Sequence, residues 1–219
     1  MDPWLAVLVA YLVGSVSFAG LVARARGVDI RAHGSGNPGA TNVGRVLGRP
    51  WGALVLLLDV LKGLVPALLL PGPAWTIGPG PDDPSGKVSI ATAVVLGHCF
   101  PMTSGLRGGK GVATLLGAQY ALDPLLALGA TLVHLVVRKG LGYVALASVA
   151  LAWTFPLAQW VIWGASGALG DRFTGGPAAM LLLALLVTAR HAGNFRRMRA
   201  GSEDRYDDPS PPARPEATS

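Results

Sequence analysis

Between its apolar runs the chain inserts three polar stretches whose residue types are those that hold anions: RAHGSGNPGATNVGRVLG (31–48), GHCFPMTSGLRGGKGVAT (97–114) and ARHAGNFRRMRAGSEDR (189–205). In the first, Gly34, Gly36 and Gly39 allow positive φ angles and close backbone approach, so that successive amide N–H groups can form an anion-binding concavity. Ser35, Asn37, Thr41 and Asn42 add neutral donors, and Arg31 and Arg45 can each grip phosphate oxygens bidentately. The plainer alternative is a solvated loop with basic side chains. In the second stretch Gly108, Gly109 and Gly111 surround Lys110 just before an apolar helix. A phosphate there would meet unpaired N–H groups, a favourable dipole and an ammonium; the alternative is a tight turn with one basic anchor. A P-loop is excluded, because Ser104 stands where that motif needs glycine and Gly111 where it needs Ser or Thr. His98 reads equally as a ligand or as an interfacial histidine. In the third, Arg190, His191, Asn194 and Arg197 recur at intervals of three and four and share one helical face. Such a face also serves as a membrane anchor, although anchoring needs neither His191 nor Asn194.

Other polar residues lie within apolar surroundings. LLLDVLKG places Asp59 and Lys62 three residues apart in the middle of a hydrophobic run, where each must pair or reach a polar cavity. A structural ion pair is the expectation. Ser15 and Ser17 in GSVSF would bond between helices or line a site, and His134 is expected to pack between helices. No His or Asp/Glu cluster shows metal-ligand spacing, no GxSxG elbow is present and no carboxylates are paired. The expectation is therefore a holder of phosphates with no metal and no cofactor.

The elements that position these residues are membrane helices. Of 219 residues, 51% are hydrophobic and only 14% charged, and mean hydropathy is +0.48; soluble domains run nearer a quarter charged. The single cysteine, Cys99, excludes an internal disulfide and is expected to fill apolar space. The net charge of +6 suits basic loops facing anionic lipid. Nucleic acid is not expected, since no stretch interleaves cations with stacking aromatics. Residues 3–23, 50–70 and 141–163 read as full spans, and 177–189 joins them with its flanks; 88–98, 112–122 and 124–137 are short. If all seven cross, Arg24, Arg26, Arg31, Arg45, Arg49, Arg107, Lys110, Arg138, Lys139 and the basic tail share one side. The other side keeps only Lys87 and Arg172, with Asp82, Asp83, Asp123 and Asp171. Fusing 112–137 into one helix would bury Asp123-Pro124 and break the positive-inside rule. The expected architecture is thus all-α, about seven crossings with the N-terminus outside and the C-terminus cytoplasmic. It forms one domain over 1–203, followed by a disordered polar tail over 204–219.

Taken together, VDIRAHGSGNPGATNVGRVLG, GHCFPMTSGLRGGKGVAT and RHAGNFRRMRAGSE resemble the motifs of the membrane acyl-phosphate:glycerol-3-phosphate acyltransferases, with LDVLKG and GSVSF also matching. The resemblance runs from about residue 10 to 205. It implies transfer of an acyl group from acyl phosphate to the 1-hydroxyl of sn-glycerol 3-phosphate, giving lysophosphatidate and phosphate. The setting it implies is the cytoplasmic face of a bacterial inner membrane, the first acylation of phospholipid biosynthesis. By the resemblance, Ser35, Gly36, Thr41, Asn42, Arg45 and Lys110 belong to the phosphate site, His191 and Asn194 come from the third motif, and Glu203 holds its end. Ser35 and Asn194 are expected to stabilise the developing charge on the carbonyl oxygen. His191 would orient the attacking hydroxyl or take its proton, a role that a donor phosphate oxygen would also fill. YVALAS departs from the family pattern, with Ala145 in place of a serine and Ser148 kept; Arg107 replaces a usual lysine. No histidine is followed five residues on by aspartate, the arrangement of another glycerolipid acyltransferase class. The expected partners are acyl phosphate, glycerol 3-phosphate and the bilayer, with the chain a monomer. The alternative from another class is a transporter or binding protein for organic phosphates, which would need cations along an outward route.

Overall fold

The computed structural model describes residues 2–70, 85–165 and 176–206, and among these every regular element is helical. Helices are what apolar runs must form where no water can satisfy the backbone. The first expected span is two helices rather than one. Helix α1 (Pro3–Gly14) starts where the Asp2 carboxylate accepts from Trp4 N and Leu5 N at 2.9 and 3.1 Å. At GSVS it stops, because Ser15 Oγ donates to the Tyr11 carbonyl at 2.8 Å and Ser17 caps α2 (Phe18–Ala25). The break exposes the Val16 carbonyl, which accepts from the Lys62 ammonium at 2.9 Å.

The first polar stretch is not all loop. Its second half forms α3 (Ala40–Leu47), whose Ala40, Val43, Val46 and Leu47 pack on Ala19, Ala23, Ile30 and Val55 in a small separate core. Gly48, at φ +98°, turns α3 into α4 (Arg49–Leu69). The chain continues through α5 (Ser85–Cys99), a 3-10 turn at Met102–Ser104, α6 (Val112–Leu122), α7 (Pro124–Leu141) and α8 (Val144–Ala165). It ends with α9 (Gly176–Arg190) and α10 (Ala192–Arg199), bent by 44° at the intervening His191. Asp123 separates α6 from α7 by capping the Leu126 amide at 2.9 Å, with Pro124 in the first turn. Helix α7 runs four residues beyond the expected end at 137, carries Arg138 and Lys139 in its last turn, and closes at Gly142, φ +75°.

Among the described residues four stretches are long and apolar enough to cross a membrane: Pro3–Ala25, Arg49–Leu69, Pro124–Leu141 and Val144–Ile162; the bent pair α9–α10 makes a fifth if counted as one. Helix α6 has 11 residues, about 16 Å at 1.5 Å per residue, roughly half the hydrocarbon thickness. Length alone therefore supports fewer crossings than seven. Small residues set the packing. Gly14 meets the Val94 carbonyl and Gly97 the Tyr11 carbonyl, joining α1 to α5; Gly63 meets the Thr114 carbonyl and Gly117 the Val60 carbonyl, joining α4 to α6. The outer surface presents large apolar side chains, with Leu69 75% and Leu125 79% exposed, as lipid contact requires.

Candidate active site

The first stretch is shaped by Asn42, which is buried. Its Oδ1 accepts from Ser35 N at 2.8 Å, and its Nδ2 donates to the carbonyls of Ile30 (3.2 Å) and His33 (3.0 Å). The loop around it passes through positive φ at Gly34 (+57°) and Gly36 (+68°), and a Cβ on Gly34 would strike Asn42 Oδ1. Asn42 therefore spends its donors on the loop itself rather than on a ligand, a correction to the expectation from its residue type. Left available are the exposed side chains of Ser35 and Thr41 and the first amides of α3, whose N-cap, Gly39, contributes no side-chain bond. The half-buried Asn37 amide lies against Gly39. Arg31 Nη2 reaches out of this stretch to the Arg107 carbonyl of the second, at 2.7 Å.

The second stretch is pinned on both edges. Helix α5 ends in carbonyls that need donors, and Gly108 N and Gly109 N supply them, bonding the carbonyls of Cys99 and His98 at 3.1 Å each. The glycines' own carbonyls are gripped by Arg190, whose Nη2 donates to Gly108 O at 2.6 Å and whose Nε donates to Gly109 O at 3.1 Å. The Gly108 and Gly109 amides are thus already paired, and the unpaired N–H groups available to a phosphate are those of the first turn of α6. Gly109 lies so near the His98 ring that a Cβ would collide with it. Gly111, at φ +86°, then starts α6 without a side-chain cap, so Lys110 projects from a rigid strap beside an open helix N-terminus.

Lys110 points at the third stretch. Its ammonium donates to Asn194 Oδ1 at 2.5 Å, Asn194 Nδ2 donates to Glu203 Oε1 at 2.6 Å, and Arg197 Nε donates to Glu203 Oε2 at 2.7 Å. Burial lowers the Lys110 pKa to about 8, opposed by the Glu203 carboxylate and reinforced by the Arg197, Arg45 and Arg190 charges. His191 is buried at the α9–α10 bend, with Nδ1 2.8 Å from the Val187 carbonyl. A carbonyl only accepts, so Nδ1 carries a proton, and in the neutral ring Nε2 then keeps its lone pair. Arg45 Nε meets Asp204 Oδ2 at 3.3 Å, tying α3 to the chain beyond α10.

Below this surface lies a polar floor. Lys62 Nζ is 2.7 Å from Asp59 Oδ1, both side chains are buried, and His98 Nδ1 is 3.7 Å from the same oxygen. Ser15, Pro38, Asp59, Lys62, His98, Gly108 and Gly109 line a cavity of about 10 Å³, room for about one water. Pro38 belongs to the first stretch and His98, Gly108 and Gly109 to the second, so the floor underlies these two; the cavity is too small for a phosphorylated substrate. Ser148 is buried on α8, and among the described residues no hydrogen bond joins it to this network.

The three stretches are therefore brought together: Arg31 joins the first to the second, Lys110 and Arg190 join the second to the third, and Arg45 joins the first to the third through Asp204. Arg190 and Asp204 carry two of these ties and stand out less in sequence than the glycines do. The signal for Arg190 was its place beside His191; nothing local marks Asp204. The order also extends past Glu203 to Tyr206, whose amide bonds the Gly142 carbonyl at 2.8 Å. Residues 207–219, most of the expected tail, lie outside the described residues.

The family model for glycerol-3-phosphate acyltransferase matches residues 4–201. A glycerol-3-phosphate acyltransferase from Geobacter sulfurreducens is 41% identical over 198 residues, 90% of this chain and 94% of that one. One from Aquifex aeolicus is 38% identical, covering 91% of this chain and 97% of its own. Among solved structures, PlsY, an integral membrane glycerol 3-phosphate acyltransferase, superposes in its glycerol 3-phosphate form with a TM-score of 0.80 at 37% identity, covering 93% of this chain and 95% of that one. Its lysophosphatidic acid form gives 0.77 at 36% identity, covering 93% and 94%. With the first two polar stretches and most of the third inside the family match, and relatives about 40% identical over nine-tenths of its length, the chain belongs to the glycerol-3-phosphate acyltransferase family.

Proposed function

We infer that the protein transfers an acyl group to the 1-hydroxyl of sn-glycerol 3-phosphate, forming lysophosphatidate, and that the donor is acyl phosphate. The observation that carries this reading is the joining of three cation-bearing, donor-rich stretches into one network in a member of this family. Both proposed reactants carry phosphate, which explains Arg45, Lys110 and two open helix N-termini at one surface. Ser35, Thr41, Arg45 and Lys110 hold the phosphates, while Asn42, Gly34 and Gly36 shape the first cradle. Asn194 and His191 sit at the reacting centre. In the step itself the 1-hydroxyl oxygen bonds the acyl carbon, the carbon–oxygen bond to phosphate breaks, and its electrons leave with the phosphate. The hydroxyl proton goes to His191 Nε2 or to a departing phosphate oxygen. An acyl phosphate is an activated mixed anhydride, so most of the acceleration comes from holding hydroxyl and carbonyl in contact.

The chain is proposed to cross a bacterial inner membrane seven times as one domain, N-terminus outside and the site at the cytoplasmic surface, because that arrangement puts the basic loops on one side. A monomer suffices, since every residue invoked comes from one chain. The test supplies purified protein with glycerol 3-phosphate and palmitoyl phosphate and follows lysophosphatidate and phosphate. Equal release of the two is expected, unaffected by EDTA. Inactivity with palmitoyl phosphate, together with turnover of an acyl thioester, would overturn the donor assignment.

A further inference from the structure

Beyond α10 four consecutive residues each grip a different part of the fold. Glu203 holds Asn194 and Arg197 of α10, and Asp204 holds Arg45 of α3. The Arg205 guanidinium lies over the Tyr143 ring at 5.2 Å and against Gly142. Tyr206 bonds the Gly142 carbonyl through its amide, and the Arg138 guanidinium stacks on its ring at 4.1 Å. Tyr143, Arg138 and Tyr206 lie outside the three polar stretches. Upstream, the same segment is tied by Ser202 N to the Arg197 carbonyl at 2.8 Å. The Glu203 carboxylate, only 4% exposed, is therefore suspended between two anchors.

We propose that Tyr206, clamped by Arg138, is a positioning residue that fixes Glu203 and through it the Asn194 amide that aims the Lys110 ammonium; this rests on the acyltransferase reading above. An amide side chain has two faces, and Glu203, as an acceptor, fixes which one Lys110 meets. With Nδ2 donating to the carboxylate, Oδ1 must turn toward Lys110. Loosening the anchor frees Asn194 to rotate and removes an anion from the neighbourhood of the ammonium. The charged and titratable groups facing Lys110 are Glu203 from the anchored segment, Arg197 from α10, Arg45 from α3, Arg190 from α9 and His191 at the bend. Only Glu203 among them favours the charged lysine, so its departure leaves a cationic surround.

The experiment compares full-length Tyr206→Ala, Arg138→Ala and Tyr206→Phe with the unaltered protein, by steady-state kinetics across pH and by calorimetric binding of glycerol 3-phosphate. The two alanine variants are expected to raise KM for glycerol 3-phosphate roughly three- to tenfold, the scale of one cation–π contact, and to move the alkaline limb of kcat/KM to lower pH. Tyr206→Phe keeps the ring face and should restore both. The double alanine variant should be no worse than the poorer single one, since both break one contact. Wild-type KM and an unmoved limb in the alanine variants would overturn the proposal, as would a fall in kcat alone. If Tyr206→Ala does not fold, Arg138→Gln removes the cation and leaves the ring. Absence of acyl transfer in the unaltered protein would defeat the acyltransferase reading instead, and the calorimetric comparison would still decide the anchor.

Discussion

Lys110 is the residue on which the site's electrostatics meet. Burial and three arginines hold its pKa at about 8 against the pull of Glu203, so it is charged below that pH and loses its proton above it. Phosphate binding needs the charged form. The kcat/KM for glycerol 3-phosphate is therefore expected to fall as pH rises through about 8, a limb that reports the free enzyme. Lys110→Arg should move the limb upward, because a guanidinium keeps its charge. Lys110→Ala should lower kcat/KM by about a hundredfold or more. A limb unmoved by arginine would assign it to another group. Residue types alone pointed to Lys110, Arg45, His191 and Asn194. They did not separate Asn42, which has the same chemistry as Asn194 but turns it inward on Ile30, His33 and Ser35. Both amides are buried; the difference lies in direction, since Asn194 bridges the Lys110 and Glu203 side chains, and side-chain identity does not encode it.

Helix pairs hold these residues at a fixed separation. Gly117 on α6 faces the Val60 carbonyl with no room for a Cβ, whereas Gly129 on α7 has no neighbour where its Cβ would stand. Gly117→Ala is expected to destabilise the protein by about 1–3 kcal/mol through forced separation of α4 and α6. Gly129→Ala should be neutral or stabilising by about 0.5–1 kcal/mol, from lower backbone entropy in the unfolded chain. Thermal unfolding in detergent distinguishes them, and equal effects would refute the packing argument. Each of the seven apolar runs is helical over most of its described length, and the stops at Asp123-Pro124 and Gly142 follow from capping chemistry. The break between α1 and α2 was less legible, since GSVSF looks like an ordinary apolar stretch with two serines. Beyond the local serine caps, it is held by Lys62, 46 residues away, which donates to the Val16 carbonyl that the break exposes.

The molecule as a whole gathers its polar chemistry at one end of the helices. Labelling with a membrane-impermeant thiol reagent tests this on the proposed topology, with buried Cys99 giving little background. Cysteines replacing the exposed Ser35, Arg107 and Asp204 should react from the cytoplasmic side only, and one replacing the exposed Asp123 from the outer side only. Reaction of Ser35→Cys and Asp204→Cys from opposite sides would contradict both the topology and the Arg45–Asp204 contact.

The amino-acid sequence alone determined the class of this protein. Long apolar runs admit only helices in lipid, and glycine-rich stretches with Lys, Arg, His and Asn announce phosphate chemistry. Tertiary structure decided which groups remain free for a ligand. The amides of Gly108 and Gly109 are used up by the end of α5, their carbonyls by Arg190 from 82 and 81 residues away, and Glu203 orients Asn194 toward Lys110 across 84. Each donor can serve only as many acceptors as it has hydrogens, and what competes for them is set by distance in space, which the order of residues leaves open until the helices pack.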